Sequence, residues 1–559
     1  MATAAEMPTR YLVFATAATL FALSAIGCLF VRELWPAVPI FGALTFIGIW
    51  DVSQRKQAIR RNYPIMAHFR FFFEFIRPEI RQYFLESDTE KTPFSRVQRA
   101  LVYQRAKNVV DKRPYGTLKD VYQSDYEWVN HSITPLRLED SDFRVMVGEG
   151  TCSQPYSLSV LNVSAMSFGA LSANAVRALN QGAKLGGFAH DTGEGSISVY
   201  HREHGGDLIW EIGSGYFGCR TADGKFDADK FAQQARDPQV KMIEIKISQG
   251  AKPGHGGVLP GAKVTPEIAA ARGVPVGVDC ISPARHSAFS NPLELVQFVA
   301  RLRELSGGKP TGFKFCLGHP WEFFAICKAI VETGLHPDFI VVDGAEGGTG
   351  AAPVEFTDHV GTPLQESLML VHNTLVGLNL RPKIRLGASG KIISAFDIAR
   401  MMALGADWCN SARGFMFAVG CIMAQACHTG HCPTGVTTQD KLRQRALVPE
   451  DKAQRVFHFH RNTLHALAEL VGAAGLPHPS QLGPHHIVRR ISANEVRLMS
   501  TIVKFLQPGD LLKEGADKLH PVYHYYWNLA DSRSFAPAHL AQSQPPPAPP
   551  QMDPQPAAA

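Results

Sequence analysis

Apolar and polar positions change their pattern three times along the chain. Tyr11 to Val31 are 21 consecutive residues without a charge, and after Arg32 and Glu33 a second uncharged stretch runs from Leu34 to Trp50. Each is about the length that crosses a hydrocarbon core as a helix, where every backbone polar group is satisfied within its own segment. The pair predicts a transmembrane helical hairpin over residues 1–52. Arg55, Lys56, Arg60 and Arg61 follow at once, so the positive-inside tendency puts that flank, and the barrel beyond it, on the cytoplasmic side of the inner membrane. A cleaved signal peptide, or a lipoprotein signal ending at Cys28 in Ala25-Ile26-Gly27-Cys28, leaves the second apolar segment without an explanation. A buried core hairpin would be expected to show a polar face.

Residues 53–150 read as a helical linker region. Tyr63 to Glu127 are amphipathic, with aromatic and basic residues mixed in His68-Phe69-Arg70-Phe71-Phe72-Phe73-Glu74. The expectation is that this stretch packs under the next domain, with a membrane-surface position as the alternative.

The third pattern occupies residues 151–452. Short β-rich runs alternate with helical ones, as in βα units that close a parallel sheet. Eight strands are expected: Val160–Ser167, Gly187–Thr192, Ile209–Phe217, Met242–Ser248, Gly312–Leu317, Phe339–Asp343, Ile384–Ala388 and Ala406–Ser411. Eight is the number of an α/β (β/α)8 TIM barrel. The glycines of the third could equally make a loop. Residues 249–308 are too long for one connection and predict an elaborated loop on the catalytic face. A helical segment follows over 453–536, and the Pro/Ala/Gln tail from 537 to 559 is expected to be disordered.

At 559 residues and 45% hydrophobic, the chain can bury one large core with attachments around it. A net charge of +6 on 56 Lys+Arg and 50 Asp+Glu, without a long basic run, argues against a nucleic-acid partner. The ten Cys are dispersed, which favours a reducing compartment over a disulfide framework.

Candidate chemistry concentrates after strands seven and eight, where barrels of this kind bind phosphate on backbone N–H groups. Gly387-Ala388-Ser389-Gly390-Lys391 and Ser411-Ala412-Arg413-Gly414 are both small-residue loops that let main chain approach an anion. Just beyond, Cys421, Cys427 and Cys432 place three thiols within twelve positions, followed by Pro433. Thiolates suit iron–sulfur clusters or zinc. With no fourth Cys close by, a three-iron cluster fits the ligand count. Zinc completed by His428 or His431, and three buried free thiols, are the alternatives.

At these residues the chain resembles the FMN-binding synthase domain of glutamate synthase, and in particular short membrane-associated relatives without a glutaminase domain. The resemblance covers about Ser164 to Asp440. It rests on Ser164-Ala165-Met166-Ser167-Phe168-Gly169-Ala170-Leu171-Ser172, Asp191-Thr192-Gly193-Glu194-Gly195, Lys246-Ile247-Ser248-Gln249-Gly250-Ala251-Lys252-Pro253-Gly254, Asp343-Gly344-Ala345-Glu346-Gly347-Gly348-Thr349-Gly350 and the Cys-x5-Cys-x4-Cys run. It implies a [3Fe–4S] cluster on Cys421, Cys427 and Cys432. It also implies FMN at the barrel mouth, held by Ala165, Met166, Ser167, Thr192, Lys314, Gly387, Ser389, Gly390, Ser411, Arg413 and Gly414, with Lys314 at the flavin N1 and O2 edge. The reaction implied is condensation of 2-oxoglutarate with ammonia and reduction of the imine to glutamate. Lys246, Gln249, Lys252, Arg272 and Ser290 would bind substrate, with Glu194, Lys252 and Gln249 catalytic. A dicarboxylate needs two cationic clamps, for which Lys252 and Arg272 are the candidates.

The match has gaps. Met1-Ala2-Thr3 stands where glutamate synthases begin with a processed Cys, and no Rossmann nicotinamide site is read: the G-x-G-x-x-G spacing of Gly213-Ser214-Gly215-Tyr216-Phe217-Gly218 falls on the end of an expected barrel strand and not between a strand and a helix. Ammonia and electrons are therefore expected from outside, the latter from ferredoxin or a membrane carrier. His255 replaces a Glu, and Ser196 a Gly, of the family pattern. Amine transfer onto glutamate, as in methylamine–glutamate N-methyltransferase subunits, and a non-catalytic flavin and iron–sulfur electron-transfer subunit are the competing functions.

Overall fold

A computed structural model of the chain describes residues 9–88, 90, 93–513, 515 and 520–537. Of the tail expected to be disordered, all but Pro537 lies outside them. The chain divides into two compact units, one up to Arg96 and one from Val97.

The second unit is built on eight parallel strands that close into a barrel in their order along the chain. They are Leu161–Val163, His190–Asp191, Leu208–Ile212, Val240–Lys246, Thr311–Phe315, Phe339–Asp343, Arg385–Ser389 and Trp408–Ser411. The seam pairs the eighth strand with the first, from Cys409 opposite Leu161 to Ser411 opposite Val163. All eight expected strands are there. The third, fifth and sixth are buried at every position, which is why they read as near-continuous apolar runs: a parallel sheet is covered on both faces. Boundaries differ where an apolar pattern continues past the sheet. The third strand ends at Ile212, and the glycines beyond it do make a loop, in which Tyr216 takes a left-handed φ of 49° and its N–H donates to Gly213 O.

A β-hairpin, Arg144–Val147 with Tyr156–Ser159, closes the bottom of the barrel. Its Val147 and Leu158 pack with Ile209, Met242, Val341 and Trp408 in one buried apolar layer. The long connection after strand four holds a short turn at Gly261–Lys263, a helix Pro266–Arg272 and a two-stranded ribbon, Val258–Leu259 with Cys280–Ile281. Helix Pro292–Leu305 then returns as an ordinary barrel helix, capped by the Asn291 side chain. The elaboration therefore ends earlier than residue 308. After strand eight, helix Arg413–Val419 leads into the cysteine loop, and the 25-residue helix Pro449–Ala473 lies along helix Ala173–Gly186. The approach is close: a Cβ on Gly182 would stand 2.4 Å from Val456. Residues 487–498 return to pair with Glu127–Val129 in a small antiparallel sheet.

In the first unit, helices Leu12–Gly27 and Ala37–Ser53 form an antiparallel hairpin. With their flanking turns, Thr9–Gly27 and Arg32–Ser53 are long and apolar enough to cross a membrane. Met66–Ile80 belongs to the same compact unit as the hairpin. Its start is tied locally: Asp51 at the end of the second apolar helix accepts from Ile65 N–H at 3.0 Å and meets His68 Nε2 at 2.9 Å. Only the later helix, Arg96–Ala106, extends into the second unit, where Tyr103 donates to Cys421 O at 2.8 Å.

Candidate active site at the barrel mouth

The loops after strands two and four bring four charged groups of the expected site together. Lys246 ends strand four and its Nζ stands 3.2 Å from Glu194 Oε2. Burial pushes the Glu194 carboxyl up, but Lys246, its hydrogen bond, Arg272 and Lys252 outweigh burial and hold it below the usual carboxylate range. Burial and then the charge of Lys246 pull Lys252 down, partly offset by Glu194. Lys252 Nζ donates to Ala351 O at 3.2 Å. Gly257 fits beside Glu194 because it lacks a side chain: a Cβ there would lie 2.6 Å from Glu194 Oε1.

The remaining residues expected to bind substrate differ among themselves. Arg272 is buried over the Phe217 ring, and its Nη2 donates to Phe168 O at 3.0 Å while its Nη1 faces Cys280 Sγ. Both terminal nitrogens are thus engaged, so Arg272 braces the strand-one loop and lends charge without presenting an open fork. Gln249 is half-buried on the same loop as Lys252. Ser290 does not join the group. It is exposed, and its N–H and hydroxyl both donate to Glu294 Oε2 at the start of the next helix.

Lys314, expected at the flavin N1 and O2 edge, is buried among carboxylates. Asp191, Glu211, Glu244 and Lys314 come from strands two to five, and the carboxylate oxygens lie within 4.8 Å of one another. Side chains from four successive strands converge this way only inside the closed ring. Lys314 is hydrogen-bonded to Glu211, and its Nζ stands 3.1 Å from Glu244 Oε1, in range for attraction without hydrogen-bond alignment. Burial first, then Glu244, raises the Asp191 carboxyl well above its normal value. Burial raises Glu244 to about 7 despite Lys314. Burial lowers Lys314, but Glu211 and Glu244 outweigh it and keep the ammonium charged. This ion cluster is the strand salt bridge that a lysine at this position forms when carboxylates face it, and the acids were not singled out from sequence.

The expected cofactor residues lie at the ends of strands one, two, seven and eight. Ala165, Met166 and Ser167 are half-buried after strand one, and the strand-two turn touches them: a Cβ on Gly193 would stand 2.6 Å from Ser167 N. The Thr192 hydroxyl is used internally, accepting from Glu211 N–H and donating to Gly193 O. Gly387 faces Trp408, 2.6 Å from where its Cβ would be, so it serves packing and not anion approach. Gly390, with φ 153°, opens the strand-seven turn, and Ser389 and Ser411 are buried beside it. Gly414 is close-packed on Ser411 Oγ.

Two cations crowd this corner. Burial pushes Arg413 down to about 10 against the pull of Asp343 and Glu346. Burial and then Arg413 lower Lys391, which the sequence shows inside the loop without marking it as a ligand. Lys391 is exposed and Arg413 half-buried, and the charge of Arg413 disfavours that of Lys391, so a phosphate beside the two would stabilise both and the corner fits one.

The cysteine loop is strained, with Met423 and Gln425 in the left-handed region. Burial pushes Cys421 up to about 11. Met423 N–H and Arg99 lower it, while the charges of Cys427 and Cys432 raise it, so the three thiols act on one space. Burial raises Cys432 too, yet the N–H and hydroxyl groups of Thr437 and Thr434 bring it down to about 7. Lys263 donates to His428 O at 3.0 Å. These features suit thiolates around an anionic centre. Among the described residues, the Cys and His side chains here do not gather at single-ion spacing; only Asp191, Glu211 and Glu244 do.

A family model described as the conserved region in glutamate synthase matches residues 99–477. The chain is 38% identical over 495 residues to the glutamate synthase large subunit-like protein YerD of Bacillus subtilis, covering 81% of this chain and 94% of that one. It is 32% identical over 408 residues to the archaeal-type glutamate synthase (NADPH) of Thermotoga maritima, covering 69% and 77%. With the archaeal glutamate synthase (NADPH) of Methanocaldococcus jannaschii it shares 34% over 378 residues, covering 67% and 70%. A solved flavocytochrome b2 chain, at a TM-score of 0.38 and 10% identity over 88% of this chain and 94% of that one, is too distant to carry an inference. A barrel with this rim, matched over this span, belongs to the glutamate synthase family, an oxidoreductase family acting on CH–NH2 donors.

Proposed function

We propose that this chain reductively aminates 2-oxoglutarate, or a closely related 2-oxo acid, to an amino acid, using ammonia and electrons supplied from outside. The observation that carries the proposal is the rim: Lys246, Lys252 and Arg272 surround a single carboxylate, Glu194, leaving positive charge for an anionic substrate. Lys246 and Lys252 are the clamps for the two carboxylates, with Arg272 contributing field from behind. Glu194, held ionised, accepts N–H donors of the incoming amine and orients nitrogen toward the carbonyl carbon. Gln249, on the same loop, lines the approach.

The corner formed by Ser389-Gly390-Lys391 and Ser411-Ala412-Arg413 would hold the phosphate of FMN, and the strand-one loop Ala165-Met166-Ser167 would face its ring. FMN bound there would supply the hydride. Cys421, Cys427 and Cys432 would hold a [3Fe–4S] cluster, which supplies single electrons. The thiol count, the N–H groups aimed at sulfur and the absence of single-ion spacing among the described Cys and His favour a polynuclear cluster over zinc.

The apolar helices Thr9–Gly27 and Arg32–Ser53 support a membrane hairpin with the barrel on the cytoplasmic side, near a membrane or ferredoxin-type electron donor. The test is anaerobic turnover of purified protein with reduced ferredoxin, ammonium and 2-oxoglutarate. Glutamate should form. Its absence from protein whose absorption and EPR spectra show intact flavin and cluster would sink the proposal, and amine-dependent product without reductant would replace it with amine transfer. Replacing Cys421, Cys427 and Cys432 by Ser should remove iron while leaving the barrel folded.

A further inference from the structure

Helix Met66–Ile80 presents three different faces. Ala67 is buried toward the hairpin, and on that side His68 meets Asp51 while Phe71 lies under Arg60, 4.8 Å from guanidinium to ring centre. A second face carries Arg70, Glu74 and Arg77, with Arg70 and Glu74 paired at 3.0 Å. The third is an unbroken apolar stripe, Phe69, Phe72, Phe73, Ile76 and Ile80, at the i, i+3, i+4 spacing of one helix side. Its phenyl groups are 57%, 54% and 58% exposed at Phe69, Phe72 and Phe73. The helix ends at Pro78–Ile80 and continues into a turn where Tyr83, Phe84 and Leu85 are also exposed.

The level of this stripe is fixed by the apolar helices. Asp51, in the last turn of the second, accepts from Ile65 N–H and meets His68, while Tyr11 at the start of the first donates to Arg61 O at 3.3 Å. Both contacts tie the segment before the stripe to the same end of the hairpin. Ile65 takes a left-handed φ of 68° to turn the chain there, a conformation that a β-branched residue adopts only when its surroundings enforce it. Arg55, Lys56, Arg60 and Arg61 lie in the connecting segment.

We propose that Met66–Ile80 is an interfacial helix that lies in the headgroup layer of an anionic bilayer, its Phe69–Phe72–Phe73 stripe inserted and its arginines against lipid phosphates. The inference rests on the hairpin spanning the membrane. If it spans, its cytoplasmic end lies at the headgroup boundary, and the helix start is bound to that end. Aromatic rings and arginines at that depth match the chemistry of the interface, and the surplus of Arg and Lys over Glu on this segment selects anionic lipid. A helix of this length covers about 22 Å of bilayer surface.

Hydrogen–deuterium exchange on the full chain in lipid nanodiscs tests this, comparing phosphatidylcholine alone with phosphatidylcholine containing phosphatidylglycerol. Amides of Leu12–Gly27 and Ala37–Ser53 should be protected in both. Amides of 66–85 should exchange roughly tenfold more slowly in the anionic discs. The triple variant Phe69→Ser, Phe72→Ser and Phe73→Ser should lose that lipid-dependent slowing while its hairpin amides stay protected. Protected hairpin amides with 66–85 indifferent to lipid charge would overturn the inference alone. So would protection that depends on protein concentration instead of lipid, since a second copy would then cover the stripe. Fast exchange throughout the hairpin would overturn the spanning reading and this inference with it.

Discussion

The rim of the barrel, built mainly on the segments after strands two and four, and the layer beneath it, built on strands two to five, carry opposite surpluses of charge. At the rim, Lys246, Lys252 and Arg272 surround Glu194; one level down, Asp191, Glu211 and Glu244 surround Lys314. The two imbalances are resolved differently because the rim opens to solvent and ligand while the interior does not. An unpaired charge in a dry chamber is costly enough that carboxyl groups keep their protons instead. A surplus cation at an open mouth needs no such correction and waits for an anion. Under the proposed function, charge at the rim serves binding, and charge below it is a folding constraint that also stores protons.

Removing the central ammonium should break the lower layer most severely. Lys314→Met leaves the buried Glu211, Glu244 and Asp191 carboxyl groups without their cation, and the loss should be about 3–5 kcal/mol in urea or thermal unfolding. It should shrink toward acid pH, where Asp191 and Glu244 are neutral. An unchanged midpoint would mean that the cluster does not contribute to folding.

Lys252→Ala sharpens the contrast from above. It should lower kcat/KM for the 2-oxo acid about 10²–10³-fold and shift stability by less than about 1 kcal/mol. A large loss of stability with activity intact would reverse the assignment.

Glu244 gives the pH signature of the interior. Its carboxyl is raised from 4.5 to about 7 in the folded chain, so the folded state binds more protons between those values. The stability tied to that proton is complete below 4.5 and is lost as pH rises through about 7. Glu244→Gln should flatten this limb of the stability–pH curve, and a curve identical to that of the parent would contradict it. Smallest of all, Ser290→Ala should cost about 1 kcal/mol or less through its lost contact with Glu294 and leave KM for the 2-oxo acid unchanged. A raised KM would return Ser290 to the substrate site.

How far sequence reached follows the same division. The eight strands were legible because buried parallel strands are written as apolar runs such as Phe339-Ile340-Val341-Val342, and the thiols and small-residue loops are local in sequence. The acid layer was not legible. Glu211 is the one charge of strand Leu208–Ile212 and Glu244 stands between Lys241 and Lys246 in strand four, and what the two acids face depends on closing the ring: Lys314 and Glu211 are 103 positions apart. The carboxylate partners of Lys314 were hidden for the same reason, since a sequence shows that a residue is on a strand but not what it faces across the barrel. The depth of Arg272 was hidden by a connection of irregular structure, where periodicity gives no guide to burial. For Met66–Ile80 the sequence left a place under the barrel and one on a membrane surface both open, because its stripe needs a covering surface and amphipathicity alone does not say which supplies it.

The clasp between helices Ala173–Gly186 and Pro449–Ala473 has a consequence for synthesis. His460 Nε2 reaches Ser159 Oγ at 3.0 Å and Leu161 O at 3.1 Å, joining a late helix to the first strand. The seam cannot be locked until that helix has left the ribosome, and at roughly 5–20 residues per second the earliest strands wait between a quarter of a minute and a minute for it. During that interval their apolar edges stand open, so the nascent chain depends on chaperones for longer than its finished architecture suggests.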